Sequence, residues 1–99
     1  MSIKIQSVHF DADKKLLEFI QERIDKLTSQ FDGIIHSDII LRADKPGLPE
    51  NKTAEIKIHI AGNDLFAKKQ CKTFEEAVDS SIDALKIQVK KHKEKIQGN

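Results

Sequence analysis

Residues 3–8, Ile-Lys-Ile-Gln-Ser-Val, alternate apolar and polar side chains, the two-residue period of a strand with one buried face. Asp11 and Asp13 then precede a run in which Leu16, Ile20, Ile24, Leu27 and Phe31 recur every three or four positions, one stripe of a helix. Asp is a favoured N-cap and Gly33 a natural stop, so the pattern predicts a helix over 13–31. Residues 37–43 are short and β-branched and predict a second strand, which runs into an exposed loop over 44–51 that holds both prolines. From 53 to 61, Ala54, Ile56, Ile58 and Ile60 share one face and Glu55, Lys57 and His59 the other, the clearest strand in the chain. Gly62-Asn63 follows, and residues 65–71 again read as extended, so the third and fourth strands form a hairpin with a tight turn.

Thr73-Phe74-Glu75-Glu76 fits a capping box, in which the Thr hydroxyl accepts from the third helical N–H and the Glu side chain returns to the Thr backbone. Beyond it Phe74, Val78, Ser81, Ile82, Leu85, Val89 and Ile96 hold one stripe for about six turns, with only Gly98-Asn99 after the helix. The expected order is β-α-β-β-β-α. Helices with one apolar stripe and strands with one apolar face are satisfied together when two roughly parallel helices pack on one face of a four-stranded, mostly antiparallel sheet. The fold class is α+β.

Ninety-nine residues suffice for one domain over 1–99, which buries roughly 60–70% of the surface its unfolded chain exposes. No uninterrupted apolar run exceeds three residues, as in Ile39-Ile40-Leu41, and Met1-Ser2-Ile3-Lys4 lacks a signal peptide's apolar stretch, so a cytoplasmic protein without membrane attachment is expected. One cysteine, Cys71, excludes an internal disulfide and a Cys-rich zinc site; its place in a strand predicts a buried or half-buried structural thiol.

Catalytic and cofactor chemistry find no candidates. His9, His36, His59 and His92 are scattered without metal-site spacing, and no Ser sits in a nucleophile elbow. The glycines at 33, 47, 62 and 98 form no phosphate-cradling loop. No metal, cofactor or small-molecule substrate is therefore expected. His59, between Ile58 and Ile60, should be an ordinary surface residue on the open side of the sheet.

Charge is informative through its distribution, since the net value is only +1. The last helix begins with Glu75, Glu76, Asp79 and Asp83; from position 86 it carries Lys86, Lys90, Lys91, Lys93 and Lys95 against Glu94 alone. Complementing the helix dipole accounts for a lysine or two, not five. At 100° per residue Lys86, Lys90 and Lys93 fall within about 80° of one another on one flank of the apolar stripe, a row of cations spaced for a phosphate backbone. A nucleic acid, a merely solvated lysine face and an anionic protein or membrane surface all remain open on charge alone. With five Phe and no Tyr or Trp, stacking platforms for single strands are disfavoured, and structured RNA read by shape and phosphate is the better target.

Particular segments carry a likeness beyond these patterns: Ile3-Lys4-Ile5; Glu18-Phe19-Ile20 and Arg23-Ile24-Asp25-Lys26-Leu27 through to Phe31; Ile39-Ile40-Leu41-Arg42; Ala77-Val78-Asp79 to Ile82-Asp83-Ala84-Leu85; and Gln88-Val89-Lys90-Lys91-His92-Lys93-Glu94-Lys95. In order, spacing and length the chain resembles the ribosome hibernation-promoting factor and ribosome-associated inhibitor family, also called sigma-54 modulation proteins, over almost all its residues. The resemblance implies the same β-α-β-β-β-α fold and a ribosome hibernation factor that inhibits translation in stationary phase or stress. Such a factor binds the small ribosomal subunit through rRNA phosphate contacts and blocks the channel for mRNA and tRNA without turnover. It places the rRNA-binding positions at Arg23 and Lys26, at Arg42, and at or beside Lys86, Lys90, Lys91 and Lys93. Two departures shift that set: Ile87 stands where the family often has Arg, and Thr73-Phe74-Glu75 where it often has Asp-Met-Tyr. Long members add a C-terminal domain that dimerises ribosomes; this sequence ends at Asn99, so dimerisation by it alone is not expected unless a separate factor assists.

A reading from another class is a protein-interaction module, in which the open sheet face around Lys57, His59 and Lys68, or an edge strand, takes a partner. An enzyme on the same fold would require a deep pocket lined by carboxylates or histidines. The ribosome reading requires Arg23 and Lys26 to lie beside Lys86, Lys90 and Lys93 in one patch.

Overall fold

The computed structural model describes residues 2–43, 47 and 49–97, with side chains up to residue 93. Half of the predicted loop, residues 44–46 and 48, and the final Gly98-Asn99 lie outside the described residues, as do the side chains of Glu94, Lys95 and the stripe position Ile96. The elements are β1 (Ser2–Val8), α1 (Lys14–Gln30), β2 (Ile34–Ala43), β3 (Lys52–Ile60), β4 (Asn63–Cys71) and α2 (Phe74–Gln97), in the predicted order. The sheet runs β1-β2-β3-β4. β1 and β2 are parallel, as the crossover through α1 permits, and the other two pairs are antiparallel.

Both helix starts follow from single side chains. The Asp13 carboxylate accepts from the Leu16 N–H at 2.8 Å, and the Thr73 hydroxyl from the Glu76 N–H at 3.1 Å, each satisfying a backbone donor that the first turn leaves without a partner.

Two strands are longer than their sequence patterns suggest. β2 begins at Ile34 instead of residue 37, because Gly33, at φ +96°, turns the chain straight from helix to ladder. The register then slips between Ile34 and His36, which turns Ile35 outward at 58% exposure and breaks the alternation that would have marked the strand. β4 begins at Asn63 instead of residue 65: Ile60 pairs with Asn63, so the turn is Ala61-Gly62, with Gly62 at φ +78°.

One apolar layer fills the space between sheet and helices. Leu16, Ile20, Ile24 and Leu27 of α1 and Val78, Ile82, Leu85 and Val89 of α2 meet Ile39, Leu41, Ala54, Ile56 and Ile58 of the sheet in a single buried cluster. α2 lies over β3 and β4 with α1 alongside it. The helices run in the same direction: Phe10, before α1, stacks on Phe74 at 4.5 Å, Arg23 meets Asp79 midway, and Lys93 lies over Phe31 just past the end of α1. Cys71 is half-buried against this layer, as its strand position predicts.

The other face of the sheet is uncovered, and register arranges it in four rows across the strands. Ser2, His36, His59 and Asp64 form the first; Lys4, Asp38, Lys57 and Phe66 the second; Gln6, Ile40, Glu55 and Lys68 the third; Val8, Arg42, Thr53 and Gln70 the last. At the β4 edge the Gln88 side-chain amide reaches from α2 to the backbone of Phe66, donating to its carbonyl at 2.8 Å and accepting from its N–H at 3.3 Å. That amide occupies the groups an added strand would need at Phe66.

Two substitutions test the buried layer by urea or guanidinium denaturation. Ile56→Ala, at a fully buried centre, should cost about 2–5 kcal/mol. Ser37→Ala should be neutral or raise stability by about 1 kcal/mol, because the buried Ser37 hydroxyl has no hydrogen-bond partner in the structure.

Candidate nucleic-acid interface

The interhelix groove brings together residues far apart in sequence. Arg23 and Lys26 line it from α1; Asp79, Asp83 and Lys86 from α2; Leu27 and Ile82 form its floor. This follows from the apolar stripes: Ile24 and Leu27 point into the core, so their neighbours at 23 and 26 flank α1 toward α2. Lys90 is exposed one turn beyond Lys86, and Lys93 continues to the end of α1, where its ammonium sits 5.2 Å from the centre of the Phe31 ring. Arg23, Lys26 and Lys86 therefore share one groove, and Lys90 and Lys93 follow Lys86 along α2 by helical spacing, Lys93 reaching Phe31.

Two features qualify the patch. Arg23 Nε donates to Asp79 Oδ1 at 2.9 Å, and the guanidinium lies 4.6 Å from the Phe19 ring centre, so Arg23 braces the helices before it meets any ligand. Asp79 and Asp83 also leave two carboxylates at one end of the groove, and the excess of positive charge grows toward Lys90 and Lys93.

The structure does not bring every candidate here. Lys91 is exposed on α2 but about 100° around the helix from Lys90. Arg42 points from the opposite, open face of the sheet, where its guanidinium lies 3.6 Å from Glu55 Oε2.

The open face holds a cluster that sequence reasoning missed. His36 donates from Nε2 to Asp38 Oδ1 at 2.6 Å, and its Nδ1 meets the Ser2 hydroxyl. His59 faces carboxylates on both sides, with Nε2 3.0 Å from Asp38 Oδ2 and Nδ1 2.9 Å from Asp64 Oδ1. A neutral imidazole has one N–H and cannot donate to both, so this geometry favours the imidazolium. The hydrogen bond to Asp38 is the main reason that the His59 pKa lies above its ordinary 6.5; the same bond leads in holding Asp38 below 3.8. His59 is thus no plain surface residue: it ties β2, β3 and β4 together at one end of the sheet. The His36-x-Asp38 spacing, which puts both side chains on one face of a strand, was the available signal; the register slip that sets His36 opposite His59 was not.

Among the described residues no group of three or more His, Cys, Asp or Glu side chains is disposed to hold a metal ion, and no helix is long and apolar enough to cross a membrane.

The model of the family described as "Sigma 54 modulation protein / S30EA ribosomal protein" matches residues 3–97. The chain belongs to that family. Among its relatives is the ribosome hibernation promoting factor of Pseudomonas putida KT2440, 28% identical over 97 residues, which are 98% of this chain and 91% of the relative. That of Escherichia coli K12 is 27% identical and covers 98% of both chains. In fold the protein is similar to a ribosomal subunit interface protein from Coxiella burnetii, with TM-score 0.84 and 20% identity over 94% of this chain and 98% of the other. It is also similar to the N-terminal domain of Protein Y from Thermus thermophilus, with TM-score 0.80 and 19% identity over 93% and 99%. The family is not enzymatic, and neither is this member.

The His59 clamp gives a pH dependence of definite sign. A raised folded pKa contributes stability that is fully present below pH 6.5 and lost as pH rises through the folded value; the lowered pKa of Asp38 contributes stability present above 3.8 and lost as pH falls through its folded value. Denaturation midpoints measured from about pH 5 to 8.5 should fall more steeply for the wild type than for His59→Gln. Parallel curves would show that the clamp does not form.

Proposed function

We propose that this protein is a ribosome hibernation factor that acts in the cytoplasm by occupancy. Residues 1–99 serve as one ribosome-binding domain, and Lys26, Lys86, Lys90 and Lys93, with Arg23 behind them, meet phosphates of small-subunit rRNA. The observation that carries this reading is the continuity of cations from the interhelix groove to the end of α1, on two helices locked to one rigid layer. A rigid row of ammonium groups gains affinity by releasing condensed counterions and reads backbone position, which suits a folded RNA. The names of the relatives, ribosome hibernation promoting factors, supply the target.

The shape supports obstruction. The described chain measures 49 × 23 × 18 Å, narrow in two directions, so it can lie lengthwise in a cleft. On this reading the domain sits in the channel that mRNA and tRNA would use and excludes both sterically. Arg42 and Lys91 then take separate roles, since neither shares the groove. Arg42 would reach RNA only on the far side of the sheet.

Cosedimentation with small subunits or whole ribosomes tests the assignment. Three or four phosphate contacts should lose on the order of a hundredfold in affinity between about 50 and about 200 mM salt. Combined Lys86→Glu, Lys90→Glu and Lys93→Glu should abolish pelleting while far-UV circular dichroism stays unchanged. Pelleting that survives the triple reversal would place the contact surface elsewhere.

A further inference from the structure

The open face of the sheet carries chemistry that the helical interface does not use. A depression of about 380 Å³, the size of a nucleotide, crosses all four strands, and its lining includes Lys4, Gln6, Asp38, Ile40, Glu55, Lys57 and Phe66. Phe66 is a large apolar ring left 48% exposed, on a face otherwise composed mainly of polar side chains. Its backbone is fixed at both hydrogen-bonding groups by Gln88, so the ring stands on a rigid element. Lys57 is its direct partner across β3 and β4, Lys68 follows two residues along on the same face, and Lys4 lies at the far end of its row.

Acidic groups on this face are occupied. Glu55 lies 3.6 Å from Arg42, and Asp38 is bound on both oxygens by His36 and His59. Lys4, Lys57 and Lys68 have no ion-pair partner among the described residues. A presented aromatic ring at the sheet edge, with Lys57 beside it on β3 and Lys68 two residues along β4, over a nucleotide-sized hollow, matches a base that stacks while its flanking phosphates meet ammonium groups.

We propose that this face is a second RNA-binding surface, on which an unpaired base of a single-stranded segment stacks on Phe66 and its neighbouring phosphates contact Lys57, Lys68 and Lys4. The choice of RNA over DNA rests on the ribosomal reading above; the site itself does not depend on the helical lysines. An acidic peptide fits less well: the edge that would receive a strand is closed at Phe66 by Gln88, and a peptide carboxylate makes no use of the exposed ring. Five Phe with no Tyr or Trp disfavour a platform for several bases, whereas one presented ring suffices for one base.

The chain has no Trp, so Phe66→Trp installs a lone indole at the site. Titrating that full-length variant with a mixed-sequence single-stranded hexaribonucleotide should quench the indole saturably. In the wild-type background, anisotropy of the labelled hexamer should show binding weakened about tenfold by Phe66→Ala and by Lys57→Glu. The triple reversal of Lys86, Lys90 and Lys93, placed in the Phe66→Trp background, should leave the quenching in place. An unquenched indole, or a Phe66→Ala protein that binds like the wild type, overturns the proposal. Uridine monophosphate that competes as well as the hexamer would overturn it in favour of a free-nucleotide site. Loss of quenching in the triple reversal would mean that the helices form the only RNA surface. Ribosome pelleting lost on triple reversal with quenching retained separates the two surfaces, so either can fail alone.

Discussion

Every functional surface of this protein is what remains after one apolar layer has been buried. Ile20, Ile24 and Leu27 on α1, Leu85 and Val78 on α2, and Ile39, Leu41, Ile56 and Ile58 beneath them are almost wholly removed from water. Each such side chain contributes roughly 1.5–3 kcal/mol of transfer free energy, before the entropy of ordering the chain is subtracted. Exposed ion pairs contribute about 0–1 kcal/mol each, so packing decides where the helices lie and the charges follow. Once both stripes are turned inward, Arg23, Lys26 and Lys86 have no freedom to be anywhere but along the interhelix groove.

The Arg23–Asp79 bridge shows how a residue with a suggestive charge can have a structural duty first. Its members are more than a third exposed, so its energy is modest, and it adds one directional contact between helices whose placement the apolar layer decides. Lys93 over Phe31 repeats the device at the other end of α1. The spacing of Lys86, Lys90 and Lys93 is set within α2 itself, and these two contacts bear on where that row stands relative to Arg23 and Lys26 on α1.

The two faces differ in physical character. On the helical side, lysine ammonium groups stand on rigid backbones, an arrangement that tolerates sequence and responds to salt. On the sheet side, side chains are cross-linked: His59 spans two carboxylates, Glu55 pairs with Arg42, and Gln88 fastens the edge strand from behind. That network leaves Phe66 and three lysines presented on a fixed surface, so the open face is ordered without a second layer to cover it.

The sequence by itself determined the order of elements, both helix starts and the inward residues, because periods of two and of three to four residues, together with local caps, are properties of neighbouring positions. It also placed the lysine row on one flank of α2, since helical geometry fixes that angle within a single element. The strand starts at Ile34 and Asn63 were hidden, in the first case because the slip at Ile35 breaks the period that reveals a strand. Only the tertiary structure decided that Arg23 is held by Asp79, that Arg42 points away from the helical lysines, and that His36, Asp38, His59 and Asp64 form one chain of hydrogen bonds. Those outcomes depend on register and on helix placement, which are set by contacts between distant segments, and no local pattern of residues encodes them.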